Sequence, residues 1–111
     1  MLINITDDLA TIKAKNVEVL NKKTYDFITK DQNFPEWKQA NYSDTWSVLA
    51  NKTVLTTEEQ NKKLYIEAVR AWKDQLLFEI NNAEALILNA ITPAEIKTAL
   101  SNIAWAQKPV E

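Results

Sequence analysis

The chain of 111 residues contains no glycine, and this absence constrains its fold more than any other feature. Tight β-hairpin turns depend on residues that accept a positive φ, above all glycine, and small strand-rich domains need many such turns. We find no long alternation of apolar and polar residues that would indicate strands. Several helix-start signals occur instead. We therefore predict a single all-α domain over residues 1–111, with four or five helices.

The composition also removes most catalytic chemistry. Cysteine and histidine are both absent, which excludes thiolate metal sites, cysteine nucleophiles and the commonest general base. Without glycine, phosphate-binding loops and dinucleotide fingerprints cannot form. The acidic pairs Asp7-Asp8 and Glu58-Glu59 lie at predicted helix starts, where carboxylates stabilise the helix dipole. We predict that the protein is not an enzyme and has no cofactor or metal site. An enzyme based on carboxylates or on a Ser–Lys pair stays as an alternative.

Charge and hydropathy argue against two classes of partner. Lysine and arginine number 13 against 15 acidic residues, a net charge of −2, and the only arginine is Arg70. A basic nucleic-acid-binding face is therefore not expected. The longest apolar run, residues 85–88, is far shorter than the ~20 residues that span a bilayer. The opening residues 1–5 lack the basic region of a signal peptide. We predict no nucleic-acid or membrane partner and a cytoplasmic location.

Two helices are predicted in the first half of the chain. The first covers about residues 7–28, with Thr6 as its N-cap, and a polar loop follows at 30–33. Pro35 suits the first position of a helix, where its missing N–H costs nothing. Residues 35–50 form either one helix or two short ones, because Ser43 could cap a new start.

The longest helix is predicted over residues 57–90. Thr56 and Glu59 form a capping box at its start. Apolar residues then recur at intervals of three and four, and this stripe consists of Tyr65, Val69, Trp72, Leu76, Ile80, Ala83, Ile87 and Ala90. Unbroken, the helix is about 50 Å long, which exceeds the diameter of a compact domain of this size. The helix therefore projects, packs along a partner, or breaks near Asn81-Asn82.

The clearest local signal lies at residues 92–95. Thr92 is the predicted N-cap, Pro93 takes the first helical position and Glu95 closes a capping box. Ile91 and Ile96 are placed to form a hydrophobic staple across this start. The buried face of the last helix is predicted to consist of Ile96, Leu100 and Ile103. An extended tail follows at 108–111.

Four tryptophans in so short a chain leave two interpretations open. Trp72 lies on the apolar stripe and is predicted to be core. The other three either fill the core or bind a partner, since tryptophan brings a large apolar area and a hydrogen-bond donor to interfaces. A protein partner or a homo-oligomer is expected. The candidate partner-binding residues are Phe34, Trp37, Trp46, Tyr65 and Trp105.

Two stretches of the chain resemble the tail fibre assembly chaperones of tailed bacteriophages. One is Thr57-Glu58-Glu59 followed by Ala71-Trp72-Lys73 and Leu76-Leu77. The other is Ile103-Ala104-Trp105 with Lys108-Pro109. The resemblance implies non-enzymatic binding to a tail fibre or a neighbouring virion protein. A phage-encoded protein of this kind would be found in the host cytoplasm or in the virion.

An inhibitor of a host enzyme is the alternative function. Such a protein could be a small acidic anti-defence protein that mimics nucleic acid. The net charge of −2 is low for such mimicry, because electrostatic mimicry calls for dense rows of acidic residues. Presentation of an apolar and aromatic helix face to a protein partner is therefore the function that the sequence favours.

Overall fold

The computed structural model describes residues 8–111, and within that range it contains helices and connecting segments but no strand. The prediction of an all-α fold with one long central helix is confirmed. A short π-helix continues the first helix. The elements are α1 (Leu9–Asp26), the π-helix (Phe27–Asp31), α2 (Glu36–Ala50), α3 (Thr57–Asn89) and α4 (Pro93–Ser101).

The helices form a rod that measures 62 × 20 × 20 Å. α1 and α2 follow one another along α3, and both run antiparallel to it. Lys13 in α1 donates to the Leu88 carbonyl near the end of α3, whereas Lys52, just after α2, pairs with Glu59 in the first turn of α3. α4 packs against α3 and α1. The radius of gyration is 18.3 Å, well above the ~13 Å of a compact domain of this length.

The inner face of α3 supplies the core along the whole rod. Its buried side chains are Ile66, Val69, Trp72, Leu76, Ile80, Ala83 and Ile87. The predicted stripe is thus confirmed, with Ile66 added and Tyr65 half-buried at its edge. α3 continues unbroken through Asn81 and Asn82, because both lie on its exposed side and leave the apolar face uninterrupted. The neighbouring segments cover this face mainly with Ile12, Leu20, Ile28, Phe34 and Ile96.

The first helix differs from its prediction. Its N-cap is Asp8, whose carboxylate accepts from the Thr11 N–H at 2.8 Å. The predicted cap Thr6 and the residue Asp7 lie outside the described residues. At the other end, the chain widens into the π-helix, where the Gln32 N–H donates to the Phe27 carbonyl at 2.8 Å. The predicted loop at 30–33 is therefore helical through its first two positions, whose polar side chains face solvent.

Asn33 ends this segment in the left-handed backbone conformation, with φ of 49°. After glycine, asparagine is among the residues that adopt this conformation most readily. In a chain without glycine, Asn33 can make the turn that glycine usually makes. The turn directs the Phe34 N–H to the Ile28 carbonyl at 3.0 Å. It also places the Phe34 ring in the core.

α2 is one helix, with Ser43 inside it rather than at a new start. Pro35, predicted as the first helical residue, is instead the N-cap, and the helix begins one residue later at Glu36. α2 buries little of its surface, and Leu49 is its one buried residue. Tyr42 and Trp46 lie half-buried on the side that faces α3.

α4 begins at Pro93, as predicted, and the Thr92 hydroxyl accepts from the Glu95 N–H at 3.3 Å. Two details of this start differ from prediction. The Glu95 carboxylate accepts from the Ile91 N–H at 3.0 Å, one residue before the N–H that a capping box would use. The side chain of Ile91 is 76% exposed, so it does not form a staple with Ile96.

Residues 102–111, which follow α4, are called the tail below. Ile103 was predicted on the buried face of the last helix. Because α4 ends at Ser101, Ile103 lies instead in the tail, where it is half-buried. The tail runs back along α3, since Ala106 contacts Trp72 and Pro109 contacts Tyr65. The tail thus covers the first half of α3, and α4 covers the second half.

We expect Thr92→Ala to lower the free energy of unfolding by about 1 kcal/mol, because it removes the N-cap of α4. Thr98→Ala in the same helix is the matched control. The Thr98 hydroxyl donates only to the carbonyl of Ala94 on the exposed surface, so its loss should be neutral or slightly stabilising. Urea unfolding followed by circular dichroism measures both. Equal effects of the two changes would contradict the capping role.

Candidate protein-binding surfaces

The structure places the candidate partner-binding residues in three environments. Phe34 is buried and Trp37 is 62% exposed, whereas Trp46, Tyr65 and Trp105 are half-buried. Phe34 and Tyr65 come together beneath the tail, and Trp105 is part of the tail. Trp37 and Trp46 lie on α2.

Aromatic rings form a continuous row between α2 and α3. The ring centroid of Phe34 is 5.2 Å from that of Tyr42 and 6.4 Å from that of Trp72. The centroids of Tyr42 and Tyr65 are 6.1 Å apart. Ring pairs in such tilted arrangements contribute about 0.5–1.5 kcal/mol each beyond the area that they bury. The row forms the floor of the groove in which the tail lies.

Two residues of this row also hydrogen-bond to the main chain of the tail. The Trp72 indole N–H donates to the Ala106 carbonyl at 2.7 Å. The Tyr65 hydroxyl donates to the Pro109 carbonyl at 3.0 Å. Both acceptors are main-chain oxygens, so this part of the contact depends on the course of the tail and not on its side chains.

The Lys108 side chain lies against two rings of the row. Its Nζ is 5.9 Å from the Phe34 centroid and 5.7 Å from the Tyr65 centroid, and it donates to the Tyr65 hydroxyl at 3.0 Å. The Lys108 backbone N–H donates to the Gln32 side-chain oxygen at 2.7 Å. Cation–π contacts at such distances contribute about 0.5–1 kcal/mol at exposed sites and ~2 kcal/mol when desolvated. Lys108 is therefore held through both its main chain and its ammonium group.

Lys62 lies at the far end of the groove. Its Nζ is 5.3 Å from the Tyr42 centroid and 3.3 Å from the Glu111 carboxylate. Burial raises the pKa of Tyr42 to about 12, and the neighbouring Tyr65 hydroxyl and Glu111 carboxylate add to the rise. The raised pKa keeps the Tyr42 hydroxyl protonated to a higher pH than an ordinary tyrosine, so it gains no charge beside Glu111 until about pH 12.

Trp105 anchors the start of the tail on the other side. Its ring meets Phe27 edge-on, with centroids 5.1 Å apart, and the Lys23 Nζ lies 4.8 Å from the Trp105 centroid. Half-burial between these groups gives Trp105 a packing role within the chain. The tail is thus fixed from Trp105 to Glu111.

Trp46 belongs to α2 and lies beside the edge of α3 that carries Lys63 and Arg70. The Arg70 guanidinium lies 4.7 Å from its ring centroid, and the Lys63 Nζ lies 5.9 Å from it. These two cations cover the ring. The buried Trp46 indole N–H has no hydrogen-bond partner, which costs about 1–3 kcal/mol for a group removed from water.

A second stripe lies on the solvent side of α3 and carries no charge. Its residues alternate at spacings of four and three, and all are exposed. We call it the outer face, and it consists of Leu64, Ala68, Ala71, Gln75, Phe78, Asn82, Ala85 and Asn89. Leu64 is 52% exposed and Phe78 is 59% exposed. This spacing is that of a coiled-coil seam, whereas a solvated helix face is typically polar and charged.

Sequence reasoning missed the outer face because the inner stripe accounted for the long helix. The signal was nevertheless present. Once the inner stripe is assigned, the opposite side of the same helix should carry charges at about every other position. Glu67 and Asp74 do lie on the exposed side, but none of the eight residues of the outer face is charged.

Of the four acidic residues singled out at helix starts, Asp8 and Glu59 act as caps, and Asp7 lies outside the described residues. Asp8 accepts from the Thr11 backbone N–H, which lowers the pKa of the Asp8 carboxyl. Glu59 completes the capping box of α3, and the hydrogen bond from the Lys52 side chain is the main cause of its lowered pKa. Over residues 8–111, histidine, cysteine and acidic side chains form no group of three or more that could hold a metal ion.

Comparison with known proteins gives no assignment. No protein-family model, curated protein or solved structure matches this chain. None of the helices within residues 8–111 combines the length and the apolar character needed to cross a membrane. The surfaces described above are therefore the basis for assigning a function.

An alkaline titration tests the environment of Tyr42. We expect a tyrosine ionisation near pH 12 in the absorbance at 295 nm, and Tyr42→Phe should remove it. The unfolded chain releases this proton near pH 10, the ordinary value, while the folded chain still holds it. The stability that Tyr42 contributes should therefore fall as the pH rises from about 10 to 12. An unchanged titration curve in Tyr42→Phe would contradict this environment of Tyr42, next to Tyr65, Lys62 and Glu111.

Proposed function

We propose that the protein is a non-enzymatic protein–protein interaction module that docks through the outer face of α3. The uncharged, heptad-spaced stripe from Leu64 to Asn89 carries this proposal. At 1.5 Å per residue, the stripe extends over about 37 Å of a rod that is 62 Å long. Such a stripe fits a helix laid alongside it.

Docking on the outer face would bury large apolar side chains on the stripe and beside it. Leu64, Phe78 and the adjacent Leu86 are each more than half exposed. Complete burial of a fully exposed side chain of this kind contributes about 1.5–3 kcal/mol, so burying the exposed half of each one contributes about half of that toward the cost of association. The small residues Ala68 and Ala71 let a partner helix approach closely between the large ones.

Charge at the edge of the outer face indicates the chemistry of the partner. Glu67 and Asp74 are exposed along one side of the stripe. Arg70 lies between these two residues on the same edge and is exposed as well, so a partner helix with an uncharged seam and charges of both signs beside it would complement the stripe. Trp37, which is exposed at the start of α2 with the Lys38 Nζ 5.5 Å from its ring centroid, supplies a separate anchor. Phe34 belongs to the core and is not part of the proposed docking surface.

Within this class, we propose the role of a phage-type virion accessory or tail fibre assembly protein, in the host cytoplasm or in the virion. The support is the resemblance of two stretches of the sequence to tail fibre assembly chaperones. In the fold these stretches lie side by side, because the Trp72 indole N–H donates to the carbonyl of Ala106, the residue after Trp105. A long rod with an apolar side also suits lateral docking onto an elongated protein.

Two exposed residues of nearly equal exposure test the outer face. Phe78 on α3 is 59% exposed and Val48 on α2 is 61% exposed. The tagged protein is used for a pull-down from its native lysate and for sedimentation equilibrium. We expect Phe78→Ser to lower the recovery of a stoichiometric partner, or self-association, by at least about tenfold, a loss of ~1.4 kcal/mol. Val48→Ser should leave both unchanged.

Unfolding measurements make this comparison decisive. Both changes alter exposed residues, so each should change the free energy of unfolding by less than about 0.5 kcal/mol. Trp37→Ala serves as a third variant and should weaken partner binding without loss of stability if Trp37 is an anchor. If Phe78→Ser and Val48→Ser bind alike, the outer face is not the docking surface. Stoichiometric capture of an enzyme that the protein inactivates would favour the inhibitor.

A further inference from the structure

The groove beneath the tail has the spacing of a site for an extended peptide. Trp72 and Tyr65 are two turns apart on α3, about 10.5 Å along its axis. Their acceptors on Ala106 and Pro109 are three residues apart. Three residues of a polyproline II segment rise about 9 Å and complete one turn, so their carbonyls point to the same side. The two donors therefore match the repeat of such a segment.

The rest of the tail follows the same course. Ala106 of the tail contacts Trp72, and Glu111 at its end contacts Lys62. The tail therefore runs toward the start of α3. The ten steps along α3 from Trp72 to Lys62 span about 15 Å. The five steps of the tail cover a similar length only if the tail is extended, at about 3.1–3.3 Å per residue.

Selectivity in this groove comes from the side chain of Lys108 and the pyrrolidine ring of Pro109. The ammonium group of Lys108 contacts Phe34 and Tyr65, and no neutral side chain would reproduce that attraction. Pro109 fixes its own φ near the polyproline value, which lowers the entropy cost of binding. The Lys62–Glu111 pair is well exposed, so it contributes little. The groove thus favours a segment in which lysine precedes proline.

Every copy of the chain carries both this groove and a segment that fits it. The tail joins α4 through Asn102, which is exposed, and Ala104 is exposed as well. When two copies exchange tails, each tail keeps all its contacts, now with the other copy. The free energy of the exchanged dimer therefore differs from that of two monomers mainly by the cost of association. The tail in cis competes at an effective concentration of roughly millimolar, as expected for a short linker. Exchange should therefore appear at high local concentration or when the cis tail is weakened.

We propose that the groove of Gln32, Phe34, Tyr65 and Trp72 is a binding site for extended segments with a lysine before a proline, and that the tail of a second copy occupies it by exchange. Tyr65 and Trp72 lie on the inner side of α3, away from Phe78. This inference goes beyond docking through the outer face and does not depend on it.

Two full-length variants with complementary defects test the exchange. The acceptor carries Lys108→Ala and Pro109→Ala, so its groove is intact and its tail is weak. The donor carries Gln32→Ala and Tyr65→Phe, so its tail is intact and its groove is weak. None of these four positions is a fully buried core residue. Each variant alone and their mixture are studied by native mass spectrometry and sedimentation at about 0.1 mM, below the effective concentration of a cis tail.

We expect each variant alone to be a monomer of about the chain mass of 12.7 kDa, and the mixture to contain a one-to-one heterodimer. Phe78→Ser in both partners is the control, and it should leave this heterodimer intact because the outer face is not used. A mixture that stays monomeric would overturn the proposed occupant. Loss of the heterodimer through Phe78→Ser would assign the association to the outer face instead.

A peptide measurement tests the chemistry of the groove without dimerisation. A synthetic peptide with the sequence of residues 103–111 is added to the acceptor variant labelled with ¹⁵N in its tryptophan side chains. We expect the indole N–H resonance of Trp72 to shift on binding. The same peptide with norleucine at the lysine position should bind about tenfold more weakly, since it cannot make the cation–π contact. An unmoved Trp72 resonance, or equal binding of the two peptides, would overturn the site.

Discussion

Burial of the inner stripe of α3 determines the arrangement of every other element. α3 has 33 residues, and its apolar side chains continue to its end. α1 with 18 residues and α2 with 15 together match this length. Two helices placed end to end are therefore needed to cover the stripe along one side, and α4 and the tail cover it along another. The fold is a rod because a stripe of this length cannot be buried in a compact globule.

The row of aromatic rings lies at the joint between α1 and α2. The chain has to leave the axis of α1 and begin that of α2 without exposing the middle of α3. The π-helix and the left-handed Asn33 make this change of direction in few residues. Phe34 then lies over the joint and contacts both Trp72 and Tyr42. The groove for the tail is thus a consequence of how two helices meet on a third.

The sequence predicts the elements of this fold better than its surfaces. Thr56, Pro35 and Thr92 mark three helix starts correctly to within a residue, because capping depends on local hydrogen bonds. An extended tail was predicted, but its packing against α3 could not be, because the donors that bind it lie more than thirty residues earlier in the chain. Phe34 and Tyr65 were selected as aromatic candidates, but their joint contact with Lys108 depends on tertiary packing. No recognisable sequence pattern predicts the π-helix.

The small buried area of α2 has a consequence for how the molecule opens. α1 buries Ile12, Asn16, Leu20 and Thr24, whereas α2 buries only Leu49. Packing in a rod is between neighbours along the axis, so cooperativity between its two ends is weaker than in a globule. Local unfolding starts where few apolar contacts oppose it. Detachment of α2 and the tail would leave the bundle of α1, α4 and the second half of α3 folded, with amide hydrogen exchange fastest in α2.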